Sequence, residues 1–260
     1  MSHDAWRIVK GDGPLVAAAI HDGHFVRDNV RPLLALSDAA RLSEEDPCTG
    51  SWTAIASTRI IGNRSRFEVD LNRPRDKAVY LHPVDSWGLK VWNRELPAEF
   101  VDESLRLYDA FYADVLGLLR ELVSRHRRLV VYDLHTYNHR RSGPYADFDD
   151  AMMNPEVNVG TGTMDRHLWS NVVDCFVNEL REHTFLGRKL DVRENVKFFG
   201  GHFPKWIHHE FADSVCVLSI EFKKFFMDEW TGEVNQEQSD AIQQALASTV
   251  PGVLQELARH

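Results

Sequence analysis

Leu129-Val130-Val131-Tyr132-Asp133-Leu134-His135 decides how this chain is read. An apolar run of this length, with almost no polar alternation, reads as a strand buried on both faces in the middle of a parallel sheet. Two other runs share its form. Leu15-Val16-Ala17-Ala18-Ala19-Ile20 ends on His21, and Val215-Cys216-Val217-Leu218-Ser219-Ile220 ends on Glu221. In open α/β sheets, ligands bind outside the carboxyl ends of such strands. Two histidines and a carboxylate, far apart in sequence and delivered to one sheet edge, predict a catalytic metal site.

Working outward, further strands are expected over residues 58–61, 66–69 and 196–199. Leu105, Tyr108, Phe111, Val115, Leu118, Leu119 and Leu122 recur at spacings of three and four, which predicts one long amphipathic helix. Leu168, Val172, Cys175, Phe176 and Leu180 predict a second. Ile242, Ala245 and Leu246, then Val253, Leu254 and Leu257, predict a C-terminal helix broken or kinked at Pro251. Strands alternating with helices predict an α/β fold with a mainly parallel sheet, and 260 residues suffice to bury one domain's core. The polar stretch 138–166 follows His135 directly and reads as an active-site loop.

Composition narrows the partners. A formal net charge of -9 argues against a nucleic-acid backbone, which wants a basic face, but leaves room for small anions held by a few arginines. Cys48, Cys175 and Cys216 are too few and scattered for a disulfide framework, and Cys216 reads as a core residue. The start, Met1-Ser2-His3-Asp4, lacks the basic and apolar regions of a leader, and no apolar stretch is long enough to span a bilayer. The expected setting is the cytoplasm, with no membrane partner. The oligomeric state is not readable.

The chemistry-bearing segments can now be weighed. In His21-Asp22-Gly23-His24, Gly23 permits a sharp turn, and His24 could be a ligand, a substrate contact or a surface residue. Glu44-Glu45-Asp46-Pro47 closes a short helical stretch and reads most simply as a solvated acidic end. It becomes interesting because two histidines plus one carboxylate form a common catalytic zinc set. Within 64–74, Arg66, Glu68, Asp70 and Asn72 alternate with Phe67, Val69 and Leu71, as in a half-buried strand. Arg64, Arg66 and Arg73 there offer planar forks for carboxylates. Asp133 and His135 share one strand face, so the acid could orient the imidazole. Glu221 on a central strand is costly to bury without a role. The glycine turns at 158–162 and 200–202 have neither P-loop nor dinucleotide spacing, and the chain has no Gly-x-Ser-x-Gly elbow.

Taken in order, these segments resemble the N-formylglutamate amidohydrolase family, a relative of zinc carboxypeptidases and aspartoacylase. Ile20-His21-Asp22-Gly23 is similar to its Pro-His-x-Gly opening, with Ile20 in place of the proline. Asp70-Leu71-Asn72-Arg73-Pro74 resembles its Asp-Leu-Asn-Arg-Pro segment, and Asp133-Leu134-His135-Thr136 its Asp-x-His-Ser. The stretch 155–161, Gly200-Gly201-His202, Ser219-Ile220-Glu221 and Phe226-Met227-Asp228-Glu229 complete the order.

That resemblance implies a phosphorylase/hydrolase-like three-layer sandwich with a mixed, mainly parallel sheet, as a single domain over residues 1–260. It implies one zinc, with His21 and His135 as ligands. The third ligand would come from the acidic triplet, with Asp46 aligning best and Glu45 next. The carboxypeptidase pattern would place it at position 24, which here is His24. A zinc-bound water, its pKa lowered to ~7, would attack the amide, with Glu221 as general acid/base. Arg66 or Arg64 would stabilise the oxyanion, and Arg73 with Asn72 would grip a substrate carboxylate. Arg141, His202 and Lys205 are candidates for a second carboxylate. The implied activity is hydrolysis of N-formyl-L-glutamate to formate and glutamate, as in histidine degradation. The alternatives are a related deacylase, a small-peptide carboxypeptidase, or a non-catalytic metal- or ligand-binding relative.

Overall fold

The computed structural model describes residues 5–259; residues 1–4, read above for a leader, lie outside the described residues. Its frame is one seven-stranded sheet, made of β1 (Trp6–Val9), β2 (Leu15–Ala19), β3 (Thr58–Gly62), β4 (Leu129–Tyr137), β5 (Val157–Gly160), β6 (Val192–Glu194) and β7 (Val215–Lys223) in the order β1-β3-β2-β4-β7-β5-β6. The β3, β2, β4 and β7 strands run parallel at the centre. The edge strand β1 is antiparallel to β3, and β5 is antiparallel to β7.

Helices cover both faces. The helices α1 (Asp38–Glu44) and α2 (Thr49–Trp52) lie between β2 and β3 in the chain. On one face, α4 (Ser170–Glu182) and α6 (Gln236–Arg259) pack Val172, Phe176, Ile242 and Leu246 against Val130, Tyr132, Leu134, Leu218 and Ile220. On the other, α3 (Ala98–His126) and α5 (His202–Phe211) pack Phe111, Val115, Leu119 and Phe203 against Leu129, Val131, Val215 and Val217. Alternation along the strands then fixes what lies further along this second face: Asp133 and His135 on β4, Ser219 and Glu221 on β7. Register sets His135 directly beside Glu221.

Several expectations are corrected. Residues 66–69 form a turn, not a strand, because the Glu68 and Val69 amides both donate to the Ser65 carbonyl at 2.9 and 3.3 Å. Glu68 and Asp70 are as fully buried as Phe67, since each carboxylate has charged partners inside the protein. Residues 196–199 are not a strand either. The Val196 and Lys197 amides donate to the Asn158 side chain (3.0 and 2.8 Å) instead of entering a ladder. The stretch 138–166 contains β5, and β1 lay outside the expected strands. Pro251 lies inside α6 without breaking it, with buried Thr249 and Val253 on either side. Gly23 is needed for space: a Cβ there would sit 2.2 Å from the Asn63 carbonyl carbon.

Candidate active site

Three chain segments meet where β2 and β4 end. His21 follows β2, His135 lies in the last turns of β4's pleat, and Asp46 stands in the loop between α1 and α2; all three are buried. One ligand atom from each lies within 4.8 Å of the others, and no other such group of three occurs among the described residues. Both imidazoles turn the same nitrogen toward the acid. Nδ1 of His135 is 2.9 Å from Asp46 Oδ2, and Nδ1 of His21 is 3.5 Å from it. Each Nε2 faces a second carboxylate, Asp70 at 2.7 Å for His21 and Asp133 at 3.0 Å for His135. A carboxylate can only accept, so it keeps a proton on Nε2 and leaves the Nδ1 lone pair for a metal. His21 Nδ1 is buried without a hydrogen-bond partner. Thr136 Oγ1 donates to the other Asp46 oxygen at 3.0 Å, which fixes the carboxylate plane.

The electrostatics follow from this packing. Burial alone would raise Asp46, but the His135 ring at hydrogen-bond distance and the nearby His21 ring hold it far below the usual carboxylate range. Burial likewise opposes the charged form of His135, yet Asp133 and Asp46 raise it well above an ordinary imidazole. Asp70 is held down, against burial, chiefly by Arg66, which reaches it at 2.8 Å, and by His21. The Tyr80 hydroxyl also donates to Asp70. Glu221 moves the other way, as burial pushes it up to about 8.

A cavity of about 370 Å³ opens onto the triad. Glu221, Arg66, Asn72 and Arg141 line it with His21, Asp46 and His135. So do Trp87, Tyr137, Lys197 and Lys224, for which no role had been foreseen. Other expected residues turn elsewhere. His24 and Glu45 face one another, and Arg41 donates to the His24 ring at 3.2 Å, so neither joins the triad. Arg64 approaches Glu68 at 3.9 Å, outside the cavity lining. Arg73 stacks 5.0 Å over the Tyr80 ring and does not line the cavity. His202 and Lys205 belong to α5 and do not line the cavity. Asn72 Oδ1 is spent on the Phe203 amide at 2.9 Å, at the start of α5. That contact needs Gly201, where a Cβ would fall 2.2 Å from Asn72 Oδ1. Arg141 lines the cavity but is clamped to Glu44 at 2.9 and 3.0 Å.

Tyr80 links this site to a larger cavity of about 850 Å³ between residues 81–102, which holds none of the triad. Among the described residues, no helix is long and apolar enough to cross a membrane.

Comparison with known proteins agrees with the architecture. The N-formylglutamate amidohydrolase of Ralstonia eutropha JMP134 matches with a TM-score of 0.75 and 18% identity over 99% of each chain. The gene product Atu2144 of Agrobacterium tumefaciens matches with a TM-score of 0.70 and 17% identity, over 98% of this chain and 97% of its own. No curated protein matches. The model of the N-formylglutamate amidohydrolase family matches residues 13–227, a span that holds every member of the triad and Glu221, and the chain belongs to that family.

Proposed function

We propose that this protein is a metal-dependent amidohydrolase acting on a small N-acylated amino acid, with N-formyl-L-glutamate as leading substrate. His21, Asp46 and His135 would hold one divalent ion, zinc first. The observation that carries the reading is the paired imidazole arrangement. Both Nδ1 atoms converge on one carboxylate oxygen, and both Nε2 atoms are held by acids, in a cavity that Glu221 also lines. The buried, unpartnered His21 Nδ1 suits a ligand and has no evident structural use.

When bound, such an ion polarises an amide carbonyl and acidifies water toward a pKa of ~7. Glu221 supplies the proton traffic. It takes the proton of the attacking water and returns it to the leaving amine. Arg66, tied down by Asp70, presents a fixed guanidinium to the oxyanion. Arg73 supports it indirectly, through Asp70 at 3.8 Å and the rings of Tyr80 and Trp87. The continuous sheet supports treating residues 1–260 as a single domain.

The test is direct. Zinc-loaded protein should release formate from N-formyl-L-glutamate, lose the activity to a chelator and regain it with metal. If metal-replete protein turned over no N-formyl, N-acetyl or peptide substrate, the proposal would fail.

A further inference from the structure

The cavity's positive charges are not equivalent. Four cationic side chains line it: Arg66, Arg141, Lys197 and Lys224. Two are already neutralised, Arg66 by Asp70 at 2.8 Å and Arg141 by both oxygens of Glu44. The two lysines have only neutral acceptors among the described residues. Lys224 Nζ donates to the Ser43 and Glu45 carbonyls at 2.6 and 2.8 Å. Lys197 Nζ donates to the Asn154 side-chain oxygen and lies 4.8 Å over the Tyr137 ring. An ammonium carries three donors, so each keeps at least one for something else. Lys224 is only 1% exposed, and Asp46, Glu44 and Glu229 act on it through space without pairing with it directly, so one N–H remains to be answered in a buried setting.

We propose that Lys197 and Lys224 seat a second carboxylate of the substrate, remote from the scissile amide, and thereby select N-acyl amino acids with acidic side chains. This rests on the hydrolase reading above. The two residues come from different parts of the fold, the segment after β6 and the turn that follows β7, and the same cavity brings them together. They replace Arg141, His202 and Lys205 in that role. Arg141 would have to break a bidentate pair to serve, and the other two lie outside the lining.

Lys224 also pins the loop that carries Asp46, so a simple loss of activity would be ambiguous. The experiment therefore compares N-formyl-L-glutamate with its neutral isostere N-formyl-L-glutamine, on zinc-loaded wild type, Lys197→Met, Lys224→Met and Lys224→Arg. Both turnover and calorimetric binding are measured. Wild type should prefer the acid by at least about 100-fold in kcat/KM. Lys197→Met should lose at least about tenfold on the acid, mostly in KM, and stay within about threefold on the amide, whereas Lys224→Met, which also loosens the Asp46 loop, should lose on both but at least about tenfold more on the acid. Lys224→Arg should restore the preference. Equal losses on both substrates in Lys197→Met, which touches neither the loop nor the triad, would overturn the proposal. So would a wild type that turns over both substrates alike. If wild type binds the acid selectively through these lysines but hydrolyses nothing, the anion seat stands and the hydrolase reading falls. Should Lys224→Met fail to fold, Lys197→Met still decides.

Discussion

At the scale of single residues, the site depends on how each charge is answered. His21 and His135 were legible because each ends a buried apolar run. Asp46 was singled out by the family resemblance, with Glu45 next, while its own sequence surroundings show only one of three adjacent acids. What separates it from Glu45 is the direction of the loop: Glu45 turns to Ser65 and His24, while Asp46 faces the two imidazoles. Glu221→Gln should keep metal and fold while lowering kcat by about 10²–10⁴-fold, measured by formate release beside elemental analysis. Asp70→Asn tests the second carboxylate. It weakens the acceptor on His21 Nε2 and should cost about 10–100-fold in metal affinity, measured by chelator competition, and it should also lower the unfolding temperature because Arg66 loses its buried partner.

At the scale of elements, the long runs were readable and the charged ones were not. β2, β4, β7 and α3 follow from periodicity because their surroundings are apolar on the expected faces. The segment 64–74 has a strand's alternation, yet it turns, because Glu68 and Asp70 find arginines and a histidine inside the protein. Residues 196–199 fail as a strand for a related reason, since one asparagine side chain takes their amides. Two substitutions probe these elements. Phe176→Ala on α4 empties a fully buried position between helix and sheet and should cost about 3–5 kcal/mol in denaturant unfolding. Gly201→Ala would drive a methyl into Asn72. It should lower the unfolding temperature and loosen the start of α5, seen as faster amide exchange at Phe203.

At the scale of the whole molecule, under the proposed metal reading, proton and metal compete for one site. In metal-free protein, His135 is raised, so the stability it contributes is present below the ordinary imidazole range and lost as pH rises through its folded value. Glu221 has the same sign. Its carboxyl, raised from 4.5 to about 8, favours the folded state below 4.5 and loses that contribution as pH climbs to about 8. Between about pH 4 and 6.5, buried His139 and His208, each lowered to about 4, act with the opposite sign, so chelated protein should lose thermal stability over the upper part of the window, from about 6.5 to 8. Metal-loaded protein should lose much less, because an ion held by His21, Asp46 and His135 would take over the neutralisation that a proton otherwise supplies. A chelated sample whose unfolding temperature rose with pH over this range would contradict the charge arrangement.

The sequence by itself determined the α/β class, the apolar runs that lead into His21 and Glu221, the strand that carries His135, and the family resemblance. Those rest on local periodicity and short motifs, which one chain segment carries alone. Only the tertiary structure decided how Asp46 turns to face both imidazoles while Glu45 turns away, which arginines are already paired, and that Lys197 and Lys224 share a cavity. Each of these depends on the distance between charges far apart along the chain, and that distance is set by how the loops pack over the sheet, not by the order of residues within any one of them.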